Sequence, residues 1–331
     1  MCTSFTSQST DGKHFLARTM DFGFFLDANP VVCPRNYKWQ SDFEETQRIG
    51  KYGFVGAGRN LGKYFFADGL NEHGLSCASL YFPDEAVYSK TRIGEKIAIA
   101  PHEVPLFILT EYKSIAELEK NIENICIVEA VVPLLGVVTP LHWILTDTTG
   151  RSVVIEPTGL TLSIQENPVG VMANSPELNW HLKNLNNYVN ISPKQVEDKH
   201  IGNQEIHPFG QGTGTLGLPG DFTPPSRFIR TVFFKAAIQQ ATNEEEAITN
   251  CWHVLSTVRI PKGIVMQTNN DFDYTQYVAA MCSESKTYYF SNYENNRIQK
   301  VQLTSKILDD LDQPTLYKVA VNQDMYTFVG E

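Results

Sequence analysis

The feature that most constrains the fold is a hairpin signal at the start of the chain. Two β-rich runs, residues 2–8 and 13–19, flank residues 9–12, which read Ser-Thr-Asp-Gly. Asp-Gly is a strong signal for a tight turn between two antiparallel strands. We therefore expect an antiparallel sheet to begin at the N-terminus and to hold Cys2 in ordered structure.

The rest of the chain reads as blocks of strands and blocks of helices. The pattern predicts, in order, short strands and loops over 22–62, strands at 64–69 and 75–82, a helix after Ser114, a hairpin over 142–156, strands near 160–164 and 169–173, a helix near Pro176, a glycine-rich loop over 199–223, helices after Pro224 and Asn243, and a meander of 275–283, 286–292 and 297–303. This order favours an α+β fold with antiparallel sheets over alternating βαβ units. Because no internal repeat and no long polar linker divides the chain, residues 1–331 are expected to form a single domain.

The bulk composition excludes several classes of protein. With 42% hydrophobic and 19% charged residues, the chain can bury a large core. Its net charge of -10 argues against binding nucleic acid, which depends on Lys and Arg. No stretch approaches the ~20 apolar residues of a membrane span. Asp11, Lys13 and Arg18 interrupt the N-terminal segment, so we expect no signal peptide, no membrane partner and a cytoplasmic location.

Metal and phosphate sites are not expected. The six cysteines are scattered without a C-x-x-C pair, which favours reduced thiols over disulfides or zinc ligands. The histidines also lack metal-ligand spacing, and we expect those at His102, His142, His181 and His207 to be structural. The glycine-rich run 210–217 lacks the Gly-Lys-Ser/Thr of a phosphate loop and is expected to be a structural or interface loop.

Cys2 is the first candidate catalytic residue, because it follows Met1 directly. Cysteine is small, so Met1 is expected to be removed, which leaves one residue with both a thiol and a free α-amine. An unperturbed α-amine has a pKa of about 8 and an unperturbed thiol a pKa of about 8.5. An N-terminal amine is a known base for such a nucleophile. The alternative is that Cys2 is a small buried hydrophobe.

Arg18 and Asp21 close the second strand, across the hairpin from Cys2. A guanidinium beside sulfur favours the thiolate. We expect the Asp21 carboxylate to accept hydrogen bonds from the α-amine and to fix its direction. The alternative is an ordinary surface ion pair, which contributes ~0–1 kcal/mol.

Two later polar residues are further candidates. Asn174 ends an apolar strand before a turn, and its amide is suited to donate to an oxyanion; a turn or helix cap is the alternative. Arg227 falls in the first turn of the helix after Pro224, where a cation opposes the helix dipole. This placement indicates a partner for its charge, although a surface arginine remains the alternative.

Six segments carry a joint pattern: Met1-Cys2-Thr3-Ser4, Leu16-Ala17-Arg18-Thr19-Met20-Asp21-Phe22, Pro34-Arg35-Asn36-Tyr37, Asp68-Gly69-Leu70-Asn71-Glu72-His73-Gly74-Leu75, Val171-Met172-Ala173-Asn174-Ser175-Pro176, and Phe209-Gly210-Gln211-Gly212 through Pro225-Ser226-Arg227-Phe228. Together they resemble the choloylglycine hydrolase family, the N-terminal-nucleophile hydrolases that include bile salt hydrolases and penicillin V acylases. The resemblance spans nearly the whole chain.

The resemblance implies a four-layer αββα sandwich of two antiparallel sheets, often assembled as a homotetramer, with 199–223 as an intersubunit element. It implies hydrolysis of a linear amide through a thioester acyl-enzyme, without a metal or organic cofactor. Cys2 would be the nucleophile and its α-amine the base, surrounded by Arg18, Asp21 and Arg227. Asn174 and the backbone N–H of Tyr81 would donate to the oxyanion.

Tyr81 directs the substrate prediction. Bile salt hydrolases usually carry asparagine at this position and penicillin V acylases tyrosine, so the resemblance favours a penicillin V acylase that takes a small-molecule amide with an apolar acyl group. Met20, Phe22, Phe24 and Tyr81 are expected to line the acyl pocket, with ordinary core packing as the alternative for the two phenylalanines. The other readings are a bile salt hydrolase, an N-acyl homoserine lactone acylase, or a catalytically silent small-molecule binding protein.

Overall fold

The structure is a computed structural model that describes residues 1–43, 47–132 and 135–329; residues 44–46, part of the stretch predicted as short strands and loops, lie outside the described residues. Its strands are β1 (Cys2–Gln8), β2 (His14–Phe22), β3 (Asn29–Cys33), β4 (Lys38–Gln40), β5 (Gln47–Ile49), β6 (Phe54–Asn60), β7 (Tyr64–Phe66), β8 (Asp68–Asn71), β9 (Ser76–Tyr81), β10 (Ile97–Ile99), β11 (Ile125–Ile127), β12 (Leu141–Thr146), β13 (Ser152–Ile155), β14 (Gln165–Glu166), β15 (Val171–Met172), β16 (Lys199–Ile201), β17 (Gln204–Ile206), β18 (Val265–Met266), β19 (Phe272–Cys282), β20 (Thr287–Asn292), β21 (Gln299–Gln302) and β22 (Thr315–Leu316). Its α-helices are α1 (Val104–Glu111), α2 (Ile115–Glu119), α3 (Leu178–Asn184), α4 (Pro224–Ala237), α5 (Glu244–Ser256) and α6 (Ser305–Asp309). Short 3-10 turns lie at Pro101–Glu103, Ile122–Asn124, Leu185–Tyr188 and Thr213–Thr215.

The first large sheet, sheet A, contains the predicted N-terminal hairpin. Its strands run in the order β15-β1-β2-β19-β20-β21, with β18 paired to β19, and neighbouring strands are antiparallel. Within the hairpin, Cys2 pairs with Met20 and Ser4 with Arg18. Gly12 in the turn has a φ of 84°, a conformation that glycine adopts without strain. The predicted C-terminal meander supplies β19, β20 and β21, so both predictions are confirmed.

The second large sheet, sheet B, lies between two layers of apolar packing. Its strands run in the order β14-β13-β12-β9-β8-β6-β3-β22, with β7 paired to β6. Side chains alternate across a strand, so Ile144 of β12 packs into the core cluster shared with sheet A. Its neighbours Trp143 and Leu145 pack into a second cluster that contains the residues of α1.

Helices cover the outer faces of both sheets. Helices α4 and α5 pack on strands of sheet A, and α1 packs on β8 and β9 of sheet B. Strands β1 and β2 of sheet A meet β9 and β12 of sheet B in the middle of the molecule. The layers therefore run helix, sheet, sheet, helix, which confirms the predicted four-layer αββα sandwich of antiparallel sheets.

Three elements differ from the prediction. Helix α1 was not predicted, because seven of its eight residues are buried and an all-round apolar helix shows no amphipathic period. The strand predicted at 160–164 is wrong, and β13, which pairs with β12 on one side, pairs on the other with the two-residue strand β14. The segment 199–223 is not all loop, since it contains the exposed hairpin of β16 and β17 around Gly202, whose φ is 60°.

Two expectations about cysteines and membranes can be compared with the structure. All six cysteines are buried and none takes part in a disulfide; their reduced state stays a prediction. Across the described residues, no helix combines the length and apolarity that are needed to cross a bilayer. The single domain over residues 1–331 stays a prediction.

Candidate active site

The hairpin of β1 and β2 places Cys2 beside Arg18. Because side chains alternate along a strand, Arg18 and Met20 share the face of the sheet on which Cys2 lies. The Cys2 sulfur is 3.0 Å from Nη2 of Arg18 and 3.8 Å from the sulfur of Met20. Cys2 is buried, with 3% of its surface exposed. The predicted proximity of the guanidinium and the thiol is confirmed.

The buried carboxylate of Asp68, bound by two tyrosine hydroxyls, balances the charge of Arg18. Nη1 of Arg18 donates to Asp68 at 3.0 Å, and the hydroxyls of Tyr277 and Tyr288 donate to the same carboxylate at 2.7 and 2.5 Å. Burial opposes the charge of Arg18, but Tyr277, Cys2 and Asp68 outweigh it and raise the pKa of the guanidinium. Arg18 therefore stays a cation, and Asp68 holds its guanidinium in place.

Sequence reasoning missed the role of Asp68 and the two tyrosines. The available signal was a carboxylate inside a predicted strand, between Ala67 and Gly69. A charge at such a position is almost never fully buried unless it is paired, and Asp68 has no exposed surface.

The side chain of Asp21 points away from the thiol, and its role as an acceptor for the α-amine stays a prediction. Its carboxylate accepts hydrogen bonds from the hydroxyls of Thr19 and Thr275 at 3.0 and 2.5 Å. The cause is strand parity, since Asp21 follows Met20 and so lies on the opposite face from Cys2. Asp21 still contacts the N-terminal segment, because its backbone carbonyl accepts from the terminal ammonium of Met1 at 2.5 Å.

Arg227 ties helix α4 to the N-terminal strand. Its guanidinium is fully buried and donates to the carbonyls of Phe222 and Cys2 and to the side-chain oxygen of Asn174, at 2.9, 2.5 and 2.6 Å. Burial lowers the pKa of Arg227, and the charges of Asp21 and Cys2 oppose that shift. The predicted partner for this cation is therefore the chain around Cys2.

Asn174 completes the arrangement from the end of β15. Its side-chain oxygen accepts from the backbone nitrogen of Cys2 at 2.9 Å and from Arg227, and its side-chain nitrogen donates to the carbonyl of Tyr81 at 2.6 Å. The contact with Arg227 fixes the orientation of the amide, because a guanidinium can only donate. Asn174 thus lies between Cys2 and Tyr81, and its role as an oxyanion donor stays a prediction.

Two buried histidines hold the backbone on which Asn174 sits. Nε2 of His142 lies 3.1 Å from the carbonyl oxygen of Ala173, and Nε2 of His181 lies 2.9 Å from that of Asn174. Nδ1 of His142 is 3.1 Å from Glu156. Burial lowers the pKa of both histidines. They are structural, as predicted, but their contact with the Asn174 segment was missed because sequence spacing gives no sign of it.

The backbone N–H of Tyr81 points to the same side of strand β9 as the backbone N–H of Ser79. The N–H of Ser79 donates to the carbonyl of Ala67 at 2.8 Å. Because N–H groups alternate along a strand, the N–H of Tyr81 is directed to that side of β9 as well. The Tyr81 ring contacts Phe22 edge to face, with 6.3 Å between the ring centroids.

An apolar pocket opens at the thiol. It is lined by Cys2, Met20, Phe22, Leu26, Ala28, Ala57, Gly58, Arg59, Leu61, Phe65, Phe66, Ala67, Ser79, Leu80, Tyr81, His102, Val132, Leu135, Thr139 and Leu141, and it contains about 920 Å³ of empty space, including open solvent. The lining by Met20, Phe22 and Tyr81 was predicted. We call this cavity the acyl pocket.

Phe24 lies elsewhere, which corrects its predicted place. It is 39% exposed, with the guanidinium of Arg59 6.0 Å from its ring centre. Phe24 lines a second cavity, the outer pocket, whose lining residues are Met1, Phe22, Gly23, Phe24, Tyr81, Pro83, Asn174, Ser175, Pro224, Gln267, Asp271 and Asp273. Phe22 and Tyr81 separate the outer pocket from the acyl pocket, since both cavities share them.

Asp42, His102 and Glu103 form a group with metal-ligand chemistry, because their ligand atoms lie within 4.8 Å of one another. The ammonium of Lys63 lies 2.8 Å from both carboxylates of this group. A side-chain cation therefore already lies between the two carboxylates and compensates part of their charge, and we assign the group to an ion-pair network.

An αββα sandwich of two antiparallel sheets, with a cysteine at the start of the first strand and at an apolar pocket, has the fold of the N-terminal-nucleophile hydrolases. The sequence model of the family described as "linear amide C-N hydrolases, choloylglycine hydrolase family" matches residues 2–317 of this chain. Because that match covers most of the chain, the protein belongs to the choloylglycine hydrolase family and is an enzyme that hydrolyses linear amide C–N bonds.

Relatives and solved structures give the same family. The bile salt hydrolase/transferase of Clostridium perfringens is 36% identical over 310 residues, which are 93% of this chain and 94% of the relative. The conjugated bile acid hydrolase of Lactobacillus acidophilus is 31% identical over 94% of this chain and 96% of its own. A mutant of the Clostridium perfringens conjugated bile acid hydrolase superposes with a TM-score of 0.91 at 34% identity, over 99% of both chains.

A penicillin V acylase from Agrobacterium tumefaciens shares the fold more distantly. Its TM-score is 0.71 at 23% identity, over 92% of this chain and 87% of its own. The preference for a penicillin V acylase, which rested on Tyr81, is therefore less supported than the bile salt hydrolase alternative.

Proposed function

We propose that this enzyme hydrolyses conjugated bile acids at their amide bond, with Cys2 as the nucleophile. The observation that carries the proposal is the position of the Cys2 sulfur, at the acyl pocket and 3.0 Å from Arg18. Relatives at 36% and 31% identity whose names give this substrate support it.

The chemistry requires the removal of Met1, which frees the α-amine of Cys2. The sulfur attacks the amide carbonyl carbon, and the α-amine takes the thiol proton. The tetrahedral intermediate breaks its C–N bond, and the leaving nitrogen takes the proton back from the α-ammonium. Water then adds to the thioester and gives one proton to the α-amine. The C–S bond breaks to release the acid, and the α-ammonium returns its proton to the leaving sulfur, which restores the thiol and the free amine.

The surrounding residues supply charge and direction. Arg18 stabilises negative charge on the sulfur, and Asp68 keeps Arg18 in place. The oxygen of Asn174, 2.9 Å from the Cys2 nitrogen, orients the freed amine. The side-chain nitrogen of Asn174 donates one hydrogen to the carbonyl of Tyr81. Its second hydrogen and the backbone N–H of Tyr81 donate to the oxyanion.

The two cavities suit the two halves of the substrate. The acyl pocket is mostly apolar and contains the thiol, so it takes the acyl group. The outer pocket contains Met1 and polar residues, so it takes the amine that leaves.

A penicillin V acylase is the second candidate. Tyr81 favours it, because this side chain lines the acyl pocket and offers a flat apolar surface to a phenoxyacetyl group.

A substrate panel tests the choice. We expect kcat/KM for the glycine conjugate of cholic acid to exceed that for penicillin V and for an N-acyl homoserine lactone by about tenfold or more, which corresponds to ~1.4 kcal/mol. Higher turnover of penicillin V would favour the second candidate. Cys2→Ser should lose hydrolysis of every substrate. Cys282→Ser, a matched exchange at a buried thiol outside the acyl and outer pockets, should keep it.

We also infer a homotetramer in the cytoplasm. Exposed apolar residues on the segment 199–223, at Ile201, Ile206, Phe209 and Leu216, support an interface between copies. The cytoplasmic location rests on the sequence alone.

A further inference from the structure

The exposed hairpin of β16 and β17 has the same short pattern on both of its strands. An acidic residue is followed two positions later by a histidine, at Asp198 and His200 and again at Glu205 and His207. In the loop that the sequence predicted here, this spacing would bring nothing together. On a strand, by contrast, side chains two positions apart lie on one face.

The register of the hairpin brings the two pairs together. His200 lies directly opposite Glu205. Continuing this register by two residues places Asp198 opposite His207, and Nδ1 of His207 indeed lies 3.0 Å from a carboxylate oxygen of Asp198. Opposite residues and their neighbours two positions along share a face of the hairpin. Two imidazoles and two carboxylates therefore project from one face.

The ligand atoms of this cluster are close enough to share one cation. Those of Asp198, Glu205 and His207 all lie within 4.8 Å of one another, and Nε2 of His200 is 3.7 Å from an oxygen of Glu205. Two ligands of a tetrahedral zinc ion, each ~2.1 Å from the metal, lie ~3.4 Å apart. The four side chains are between 52% and 67% exposed, so an ion from solvent reaches them and small rotations close the remaining gaps.

The charge of the cluster suits a divalent cation. In the part of the chain that the structure describes, Asp198 and Glu205 form ion pairs only with the two histidines. This differs from the group around His102, where the ammonium of Lys63 already lies beside both carboxylates. Imidazole nitrogen together with carboxylate oxygen suits Zn²⁺, whereas Ca²⁺ and Mg²⁺ prefer oxygen ligands.

A cation bound from both strands would also stabilise the hairpin. Strands β16 and β17 form a sheet of their own, joined to neither large sheet, and all six of their residues are exposed. An isolated two-stranded hairpin is marginally stable in water, and exposed ion pairs add little. Metal binding supplies the missing stability, because its free energy is gained only when the two strands are held together.

We propose that Asp198, His200, Glu205 and His207 bind a Zn²⁺ ion that clamps the two strands of the hairpin. The four residues line neither the acyl pocket nor the outer pocket, so the site is separate from the one at Cys2. The inference is therefore independent of the proposed function. The bound ion would order part of the segment 199–223, which we infer to lie between copies of the chain.

Calorimetric titration of the metal-free full chain with zinc chloride tests the proposal. The parent protein has Cys2→Ser, because a thiol beside a free amine would itself bind zinc. The variants are His207→Gln and the double variant Asp198→Asn with His207→Gln. The controls are Lys199→Gln, on the same hairpin but on its other face, and His253→Gln, at an exposed histidine on α5.

We expect the parent to bind one zinc ion per chain. His207→Gln should weaken binding by at least about tenfold, because even the loss of an outer-shell partner of a metal costs about that much. The double variant should show no saturable binding, and both controls should bind like the parent. Equal affinity in the parent and the double variant, or no saturable binding by the parent, would overturn the proposal.

Hydrogen exchange measures the clamp itself. Zinc should slow the exchange of the backbone amides of residues 199–206 in the parent and in His253→Gln, but not in the double variant. Exchange in α5 should be the same in all of these proteins, since the replaced side chains are exposed. Zinc that binds without slowing exchange in the hairpin would be a surface chelate rather than a clamp, and the proposal would be wrong.

Discussion

Arg18 and Asp68 form a fully buried pair that is central to the site. Removing one member of a buried ion pair leaves an uncompensated charge, which typically costs ~3–5 kcal/mol of stability. We therefore expect Arg18→Gln to lower the free energy of unfolding by about that amount, and Arg18→Gln with Asp68→Asn to recover most of it. Urea unfolding of the three proteins measures this.

Activity should not follow stability in this series. Because the guanidinium also contacts the Cys2 sulfur at 3.0 Å, the double variant should stay as inactive as the single one. A double variant that regains both stability and hydrolysis would show that Arg18 is only a structural cation.

His181 gives a second prediction for a single residue. Its ring donates to the carbonyl of Asn174 and stacks on Phe228, with 4.6 Å between the ring centroids. His181→Leu leaves that carbonyl unpaired, and we expect kcat to fall roughly tenfold with little change in KM, because Asn174, the oxyanion donor in our proposal, would move. His181→Gln keeps a donor at the Nε2 position and should restore most of kcat. Equal kcat in the two variants would contradict the positioning role.

At this scale the sequence predicted which residues meet, but not how each one faces. Cys2, Arg18, Asn174 and Arg227 come together as expected. The side chain of Asp21 lies on the opposite face from that of Arg18, because the two residues are three positions apart in one strand and side chains alternate along it. Asp68 and His181 could not be assigned, since their contacts join segments far apart in the chain.

Strand β19 and the loop before it give the outer pocket its charge. Asp271 and Asp273 line this pocket, and Asp273 acts electrostatically on both Tyr81 and Arg227. A glycine or taurine leaving group is an anion, which these carboxylates repel. We expect Asp273→Asn to lower KM for taurine conjugates by about 2- to 5-fold at low salt, with little effect on an amide whose leaving group is neutral.

The salt dependence is the control for this prediction. Screening weakens interactions between exposed charges, so the advantage of Asp273→Asn should shrink as salt is added. An advantage that is equal for neutral and anionic leaving groups would mean that the exchange changes the shape of the pocket rather than its charge.

Elements were predictable where a periodic pattern and a turn signal coincide. The N-terminal hairpin, α4, α5 and the C-terminal meander have both. Helix α1 has no polar face, and β14 is too short to show alternation. Hairpin β16–β17 contains Gly202-Asn203, which is a turn signal. This signal was not recognised, because the glycine-rich stretch around it favoured a loop.

At the scale of the whole molecule, the order of elements predicted an α+β fold with antiparallel sheets, and the family resemblance supplied its four layers. Assembly is the part that one chain does not define. We expect light scattering to give the mass of a tetramer, and Ile206→Ser with Phe209→Ser to shift it to smaller species, because both side chains are exposed on segment 199–223. Trp180→Ser, an exchange of an exposed apolar residue outside that segment, is the matched control. Wild-type protein that is a monomer at micromolar concentration would contradict the assembly.

The central claim is that one residue supplies both the nucleophile and the base. The most direct test compares protein shown by intact mass to begin at Cys2 with protein that keeps an uncleaved residue before it, so that the thiol is present in both and the α-amine in only one. We predict that the blocked form loses at least about 10²-fold in kcat, the contribution of a lost general base. Equal kcat in the two forms would contradict the account.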